Sequence, residues 1–432
     1  TGLPTTDGET IARFIKEYEG DSRFMELLKE RAKYHKMYST YVEGLLPFCR
    51  VDTDRIHTNL KLVSTWRLSS SKPNLQNIPR PDNDPMGIRS VFVAPHLPPT
   101  GELHVPEKRI LLPDKTPSTS EPMIVTPDNL NPWTAKTWHF IIGNRLSGHV
   151  FYISADYSQI ELKVLAWFAN ERTMIETLAN GGDLHSKVAK DVFKLDCEVE
   201  QVKERYKPFR YRAKKVNFGL VYGMTEYGLS SDPKMGMTVE QAKQFIEDYM
   251  RTYPGVREYA NEQIAFARKN GYVTTMFGHR RPVPHINDPN KWVRQKAENI
   301  CMNTPIQGSA ADIMALAMVN LRKEQDRCPA LSMHMQIHDE LQGQAPVEHA
   351  VEAAVFMKEV MERPIDGFSD IMPITADAAV GATWDTALDL QFEPDGTPFV
   401  KPKKEKKEAT DVTYDMIAPY EHLYKLAGIK IA

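Results

Sequence analysis

From residue 331 to 344 the chain alternates. Met333, Met335 and Ile337 are interleaved with His334, Gln336 and His338, and the run then passes Asp339 and Glu340 to Leu341 and Gln342. Alternation with a period of two is strand geometry, because successive side chains point to opposite faces. The pattern predicts a β-hairpin that carries Asp339 and Glu340 at or near its turn. A second strand is predicted from Val150 to Asp156, an apolar run ending in a carboxylate and followed by a helical pattern from Gln159 to Ala169. The chain is thereby committed to strands that deliver acids to their ends.

At 432 residues the sequence exceeds one ordinary core and accommodates two or three packed subdomains with a cleft between them. Hydrophobic residues make up 41% and charged residues 26%, a globular balance that argues against a disordered chain. No stretch approaches the roughly 18 apolar residues of a membrane span. The net charge of −3 announces no polyanion partner, so local distribution has to carry that question. Between Lys203 and Lys215, the cations Lys203, Arg205, Lys207, Arg210, Arg212, Lys214 and Lys215 stand against one acid, Glu204. This is either a polyanion-binding surface or a solvated helix face. Cys49, Cys197, Cys301 and Cys328 lie far apart, which disfavours a zinc site or a disulfide framework. With Thr1 first and no signal peptide, the expectation is an intracellular protein, cytoplasmic and in a host cytoplasm if viral, whose beginning is missing.

Along the chain, residues 8 to 45 predict two helices and His57 to Pro79 short strands and loops. Pro95 to Gly148 is a long irregular connection. Helical patterns dominate from Cys197 to Trp292. After Trp384 the pattern decays into Pro and Gly, then the basic run Lys401 to Lys407, then a short helical pattern near the end; this part is expected to be a tail, solvated or binding nucleic acid or a protein partner through its lysines.

Three constellations carry chemistry. Asp156 opens the string D-Y-S-Q-I-E-L-K, where a strand-end carboxylate suits a hard cation such as Mg²⁺ or caps the next helix. Asp339 and Glu340 repel unless a cation or water screens them; they are metal-binding or a solvated turn. Arg210, Lys214, Phe218 and Tyr222 recur every four residues, which on a helix puts two cations and two rings on one slowly drifting face. Cations suit a triphosphate and rings suit a base, although an ordinary amphipathic helix has a similar pattern.

In this order the three strings resemble motifs A, B and C of family A DNA polymerases. The likeness extends through S-T-W-R-L-S-S-S-K-P-N-L-Q-N-I-P (Ser64 to Pro79), G-G-D-L-H ending at His185, and N-T-P-I-Q-G-S-A-A-D (Asn303 to Asp312), over residues 1 to 385. It implies an α+β right-hand polymerase fold. Residues 1–45 would be the helical end of a thumb, 46–187 the first part of an antiparallel-sheet palm with an insert at about 96–148, 188–295 the helical fingers, 296–385 the second part of the palm and 386–432 a C-terminal tail.

The resemblance further implies that Asp156 and Asp339 bind two Mg²⁺ ions, replaceable by Mn²⁺, with the Tyr157 carbonyl as an added ligand and Glu340 near the primer terminus. Arg210, Lys214 and His185 would hold the triphosphate, with Gln159 nearby. Phe218 and Tyr222 would lie at the nascent base pair, and Glu161 would exclude the 2′-hydroxyl. Arg67, Asn77, Gln307 and His338 would touch primer or template. Phenylalanine at 218 implies rejection of dideoxynucleotides. The partners implied are primer-template DNA, deoxynucleoside triphosphates and an N-terminal fragment or subunit supplying thumb and exonuclease.

Departures from the family pattern are Trp66, where glycine is usual, Lys163 for a frequent arginine, and the long insert, which together with the odd start suits a viral or phage origin. The rival readings are a catalytically silent DNA-binding protein on the same fold, a single-subunit RNA polymerase and a polymerase with reverse transcriptase activity.

Overall fold

The computed structural model describes residues 22–50, 55–79, 84, 88–92, 150–221, 224–232, 235–384, 387–400 and 421–431. The segment Pro95 to Gly148 and the first 21 residues lie outside them. Of the region 8 to 45 where two helices are expected, residues 8–21 lie outside the described residues, and helix α1 (Ser22–Met37) runs on directly into a π-helical turn, Tyr38–Glu43. Strands β1 (Asn59–Leu62) and β2 (Leu68–Ser71) then form an antiparallel hairpin.

β3 (Val150–Tyr157) is buried along its length except at Asp156, as an almost uninterrupted apolar run should be. The chain continues through α2 (Ile160–Ala169), α3 (Arg172–Ala179), α4 (Leu184–Phe193), α5 (Val199–Arg205), α6 (Lys207–Val221), α7 (Glu226–Ser231), α8 (Val239–Thr252) and α9 (Pro254–Asn270). The helical stretch expected to reach Trp292 is interrupted by a small hairpin, β4 (Tyr272–Thr274) against β5 (Arg280–Pro282). Gly271 and Gly278 explain the break: with φ of 80° and 84° they sit where side chains are disfavoured, the first closing α9 and the second turning the hairpin.

A long helix, α10 (Lys291–Lys323), contains Pro305 and packs against α2 and α9. The alternating segment forms the expected hairpin of β6 (Ser332–Ile337) and β7 (Glu340–Pro346), with His338 and Asp339 as its turn. Helix α11 (Ala350–Met361) follows, then β8 (Ala376–Gly381). In the central sheet β3 lies between β7 and β8, antiparallel to both. Phe151, Ile153, Leu341 and Val380 join Ala354 and Met357 of α11 in one core.

The end of the chain departs from the expected tail. β9 (Leu388–Phe392) and β10 (Pro398–Val400) extend the sheet beyond β8, and β11 (Lys430–Ile431) adds a parallel edge strand. The alternation in L-D-L-Q-F is short, and its partner strand comes only after the turn at Gly396, whose φ is 83°. Tyr424 of α12 (Glu421–Leu426) is buried against Phe151, which anchors this segment to the sheet. Among the described residues no helix is long and apolar enough to cross a membrane.

Candidate active site

The acids of the two strand segments meet. The Tyr157 amide donates to the Asp339 carbonyl at 3.0 Å, so the end of β3 is stitched to the β6–β7 turn. In register, Asp156 faces Glu340 across β7 on one side and Asp377 across β8 on the other. Directly opposed residues of neighbouring strands share a face; three carboxylates therefore line one row. Asp377 was missed in sequence, where the alanine-rich run A-D-A-A-V-G gives little contrast between its faces. His338, exposed, takes a left-handed φ of 54° at the turn.

Behind this row, Tyr157 donates its hydroxyl to the Met361 carbonyl at 2.9 Å, and burial pushes its phenol above the ordinary range. Gln159, the left-handed N-cap of α2, donates from Nε2 to the Gly182 carbonyl at 3.3 Å. Glu161, 8% exposed, forms an ion pair with Arg67. Lys163, also buried, donates to the Pro373 carbonyl at 2.9 Å and Thr375 Oγ1 at 2.7 Å. Burial pulls its ammonium down to about 8, against the opposing pull of Glu362 and Asp377. An amine with two fixed acceptors suffices here, where the family usually has a guanidinium.

A second cluster joins α4 and α6. Asp183 caps α4 by accepting from the His185 amide at 3.1 Å, and also receives Ser186 Oγ and Arg210 Nε, each at 2.7 Å. Asn217 Nδ2 lies 3.0 Å from His185 Nδ1; with the amide in this orientation its nitrogen donates and the ring accepts at Nδ1, the tautomer protonated on Nε2. Burial pushes His185 down to about 4, with Arg210 and Lys214 adding to the effect and Asp183 opposing it. Lys214 is exposed one turn after Arg210, and Asn217 follows on the same face. The backbone of Phe218 belongs to α6, but its side chain and the whole of Tyr222 lie outside the described residues. Asp183 and Asn217 are additions to the residues singled out in sequence.

The remaining candidates are dispersed. Asn77 is exposed at the end of a 3₁₀ turn, where its carbonyl accepts the Tyr41 hydroxyl at 2.7 Å. Gln307 is buried in α10. Its neighbour Gly308 abuts Trp66: a Cβ there would lie 3.1 Å from the Trp66 ring and 2.5 Å from Thr275 Cγ2. Trp66 has a φ of 59°, the backbone of a glycine, and stacks on His279 with centroids 5.4 Å apart. His279 Nδ1 is in turn 2.8 Å from Asp312 Oδ1. The tryptophan therefore keeps the glycine-like turn that presents Arg67 and ties it to α10.

A helix-backed antiparallel sheet that presents acids from neighbouring strands, flanked by a helical layer bearing a cation pair, is the right-hand polymerase fold. The sheet is its palm and the helices its fingers, with part of a thumb. The chain belongs to DNA polymerase family A, whose sequence profile matches residues 1–98 and 139–386. Members of this family are metal-dependent DNA polymerases.

DNA polymerase I of Bacillus caldotenax is 35% identical over 387 residues, covering 85% of this chain and 37% of its own length. That of Bacillus subtilis (strain 168) is 33% identical over 391 residues, covering 89% and 38%. Among solved structures, the POL domain of Pol1 from M. smegmatis in complex with DNA primer-template and dNTP superimposes with a TM-score of 0.68. It shares 29% identity over 89% of this chain and 57% of that one. The chain thus spans little more than a third of the length of the bacterial relatives it matches.

Proposed function

We propose that this chain is the polymerase part of a DNA-templated DNA polymerase, which joins deoxynucleotides to a primer 3′-hydroxyl and releases pyrophosphate. The observation that carries the reading is the bond between the Tyr157 amide and the Asp339 carbonyl, which brings two acids distant in sequence to the same end of the central strands. Among the described residues no group of three or more His, Cys, Asp or Glu side chains is gathered into a metal cage. Mg²⁺ does not need one, because it keeps several waters and takes one or two carboxylates plus substrate phosphates. The hard oxygens of Asp156 and Asp339, with the Tyr157 carbonyl, fit that requirement. Two Mg²⁺ ions, or Mn²⁺ in their place, would supply charge stabilisation for the attacking and leaving oxygens.

The protein's own part is positioning and electrostatics. Arg210, Lys214 and a neutral His185 face a triphosphate from α4 and α6. Gln159 and Glu161 border the sugar, with Glu161 excluding a 2′-hydroxyl, and Phe218 and Tyr222 serve the nascent base pair. Arg67, Asn77, Gln307 and His338 follow primer and template, while Glu340 lies by the primer end. In this reading residues 46–187 and 296–385 form the palm and 188–295 the fingers. A separate N-terminal portion supplies the rest of the thumb and any editing.

Primer extension on a DNA template with Mg²⁺ tests it, with deoxynucleotides and ribonucleotides offered in parallel and Asp339→Ala as the comparison. Extension by deoxynucleotides alone, abolished by the substitution, is expected. DNA binding without extension, even after restoring the N-terminal portion, would replace this reading with a silent DNA-binding protein.

A further inference from the structure

The His338–Asp339–Glu340 turn is held on both flanks by buried glutamines from its own strands. Gln342, fully buried two residues beyond Glu340, donates from Nε2 to Glu340 Oε1 at 2.8 Å. Its Oε1 accepts the Tyr152 hydroxyl at 2.7 Å. Gln336, buried two residues before His338, donates from Nε2 to the His338 carbonyl at 2.5 Å. Gln76 Nε2 reaches Gln336 O at 3.2 Å and Oε1 at 3.3 Å, and Gln76 Oε1 accepts the Ser70 amide at 2.9 Å. The register puts Gln342 and Glu340 on one face of the hairpin and Gln336, opposite Leu341, on the other. The turn is gripped from both faces.

A buried primary amide is costly unless its donors and acceptors are used, and apolar side chains would fill the same space more cheaply. What the polar pair adds is direction. Glu340 stands in a row with Asp156 and beside Asp339, so like-charge repulsion drives its carboxylate away from the row. A lysine or arginine would hold it but neutralise it; a glutamine amide holds it and leaves the charge in place. Tyr152, whose phenol burial keeps well above the ordinary range, remains a donor and fixes the amide orientation.

We propose that Gln342 and Tyr152 are positioning residues which aim the Glu340 carboxylate at the reacting end of the primer, while Gln336 and Gln76 fix the backbone of the same turn. This rests on the polymerase reading above. The test compares Gln342→Leu, Tyr152→Phe and the double variant. Each single change strands a buried partner and lowers Tm; the double change removes both partners and recovers most of it. The rate of single-nucleotide incorporation at saturating dNTP should fall about tenfold or more in Gln342→Leu and stay down in the double variant. DNA Kd and half-saturating dNTP should remain within about twofold. A double variant with the unsubstituted rate would overturn the proposal, since packing alone would then explain the pair.

A readout independent of turnover is the Gln342 side-chain amide resonance in glutamine-labelled protein. It should be slow to exchange with solvent and lose that protection in Glu340→Ala; free exchange in the unsubstituted chain would overturn the relay. If the chain extends no primer even with the N-terminal portion restored, the polymerase reading fails while this resonance still decides whether Gln342 holds Glu340.

Discussion

The Tyr157 amide donates to the Asp339 carbonyl across 3.0 Å, so the relative placement of Asp156 and Asp339 is set by main chain rather than by their own side chains. Replacing either carboxylate by an amide of the same shape leaves that bond intact. Asp156→Asn also removes one charge from the row it forms with Glu340 and Asp377. Its stability should be unchanged or higher by up to about 1 kcal/mol. Primer extension should nevertheless fall by more than about a hundredfold in Asp156→Asn and in Asp339→Asn. Thermal denaturation and single-turnover extension on the same samples check the pair of expectations.

Arg67 meets Glu161 from a different part of the sequence, and Glu161 is 8% exposed. Arg67→Met strands a nearly buried carboxylate, with a cost of about 2 kcal/mol given that the arginine is partly solvated. Glu161→Gln keeps the shape and a hydrogen bond and should cost less. If Glu161 guards the sugar, losing its partner loosens the guard. The preference for deoxynucleotide over ribonucleotide, as a ratio of kcat/KM values, should drop about tenfold in Arg67→Met, the equivalent of one hydrogen bond to a charged group. An unchanged ratio would separate the ion pair from sugar selection.

The strands at the heart of the site were legible because burial imposes simple patterns on them. The apolar run at Val150 and the alternation at Met333 could be read without any fold in mind, and the acid at the end of each marked the site. Asp377 was not read because its strand is rich in alanine, with little hydrophobic contrast to betray alternation. The sheet-extending strands after Trp384 were missed for a different reason: the alternation of β9 is short, and its partners β8 and β10 are joined to it only through turns, the second at Gly396. The Gln342–Tyr152 pair lay in plain view but needed the register to connect it.

Trp66 holds a φ of 59°, a conformation that costs a residue with a Cβ about 1 kcal/mol. Its ring compensates by stacking on His279 and lying against Gly308. Trp66→Ala keeps the backbone cost and loses the ring, for a destabilisation of about 2 kcal/mol. Trp66→Gly loses the same ring but relaxes the backbone, so it should be more stable than Trp66→Ala by about 1 kcal/mol. Denaturant midpoints of the two variants decide it. Equal midpoints would mean that the turn relaxes once the ring is gone.

His185 makes the fold sensitive to acid. Burial first, then Arg210 and Lys214, push it down to about 4 from an ordinary 6.5. The unfolded chain therefore binds a proton in the interval between these values and the folded chain does not. Stability from this group is fully present above about pH 6.5 and is lost as the pH falls through about 4, a total of about 3 kcal/mol if the whole shift is realised. Asp183 beside it behaves otherwise. Burial raises its carboxyl, but hydrogen bonds from Arg210 and Ser186 outweigh that and hold it below the usual 3.8, so its contribution fades only at lower pH. Between pH 7 and 4.5 the fall in Tm should consequently be smaller in His185→Gln, which can still accept from Asn217, than in the unsubstituted chain. Parallel pH dependences would show that His185 takes its proton without unfolding the α4–α6 cluster. Above pH 6.5 the ring stays neutral, so His185 itself should impose no pH dependence on nucleotide incorporation between pH 6.5 and 8.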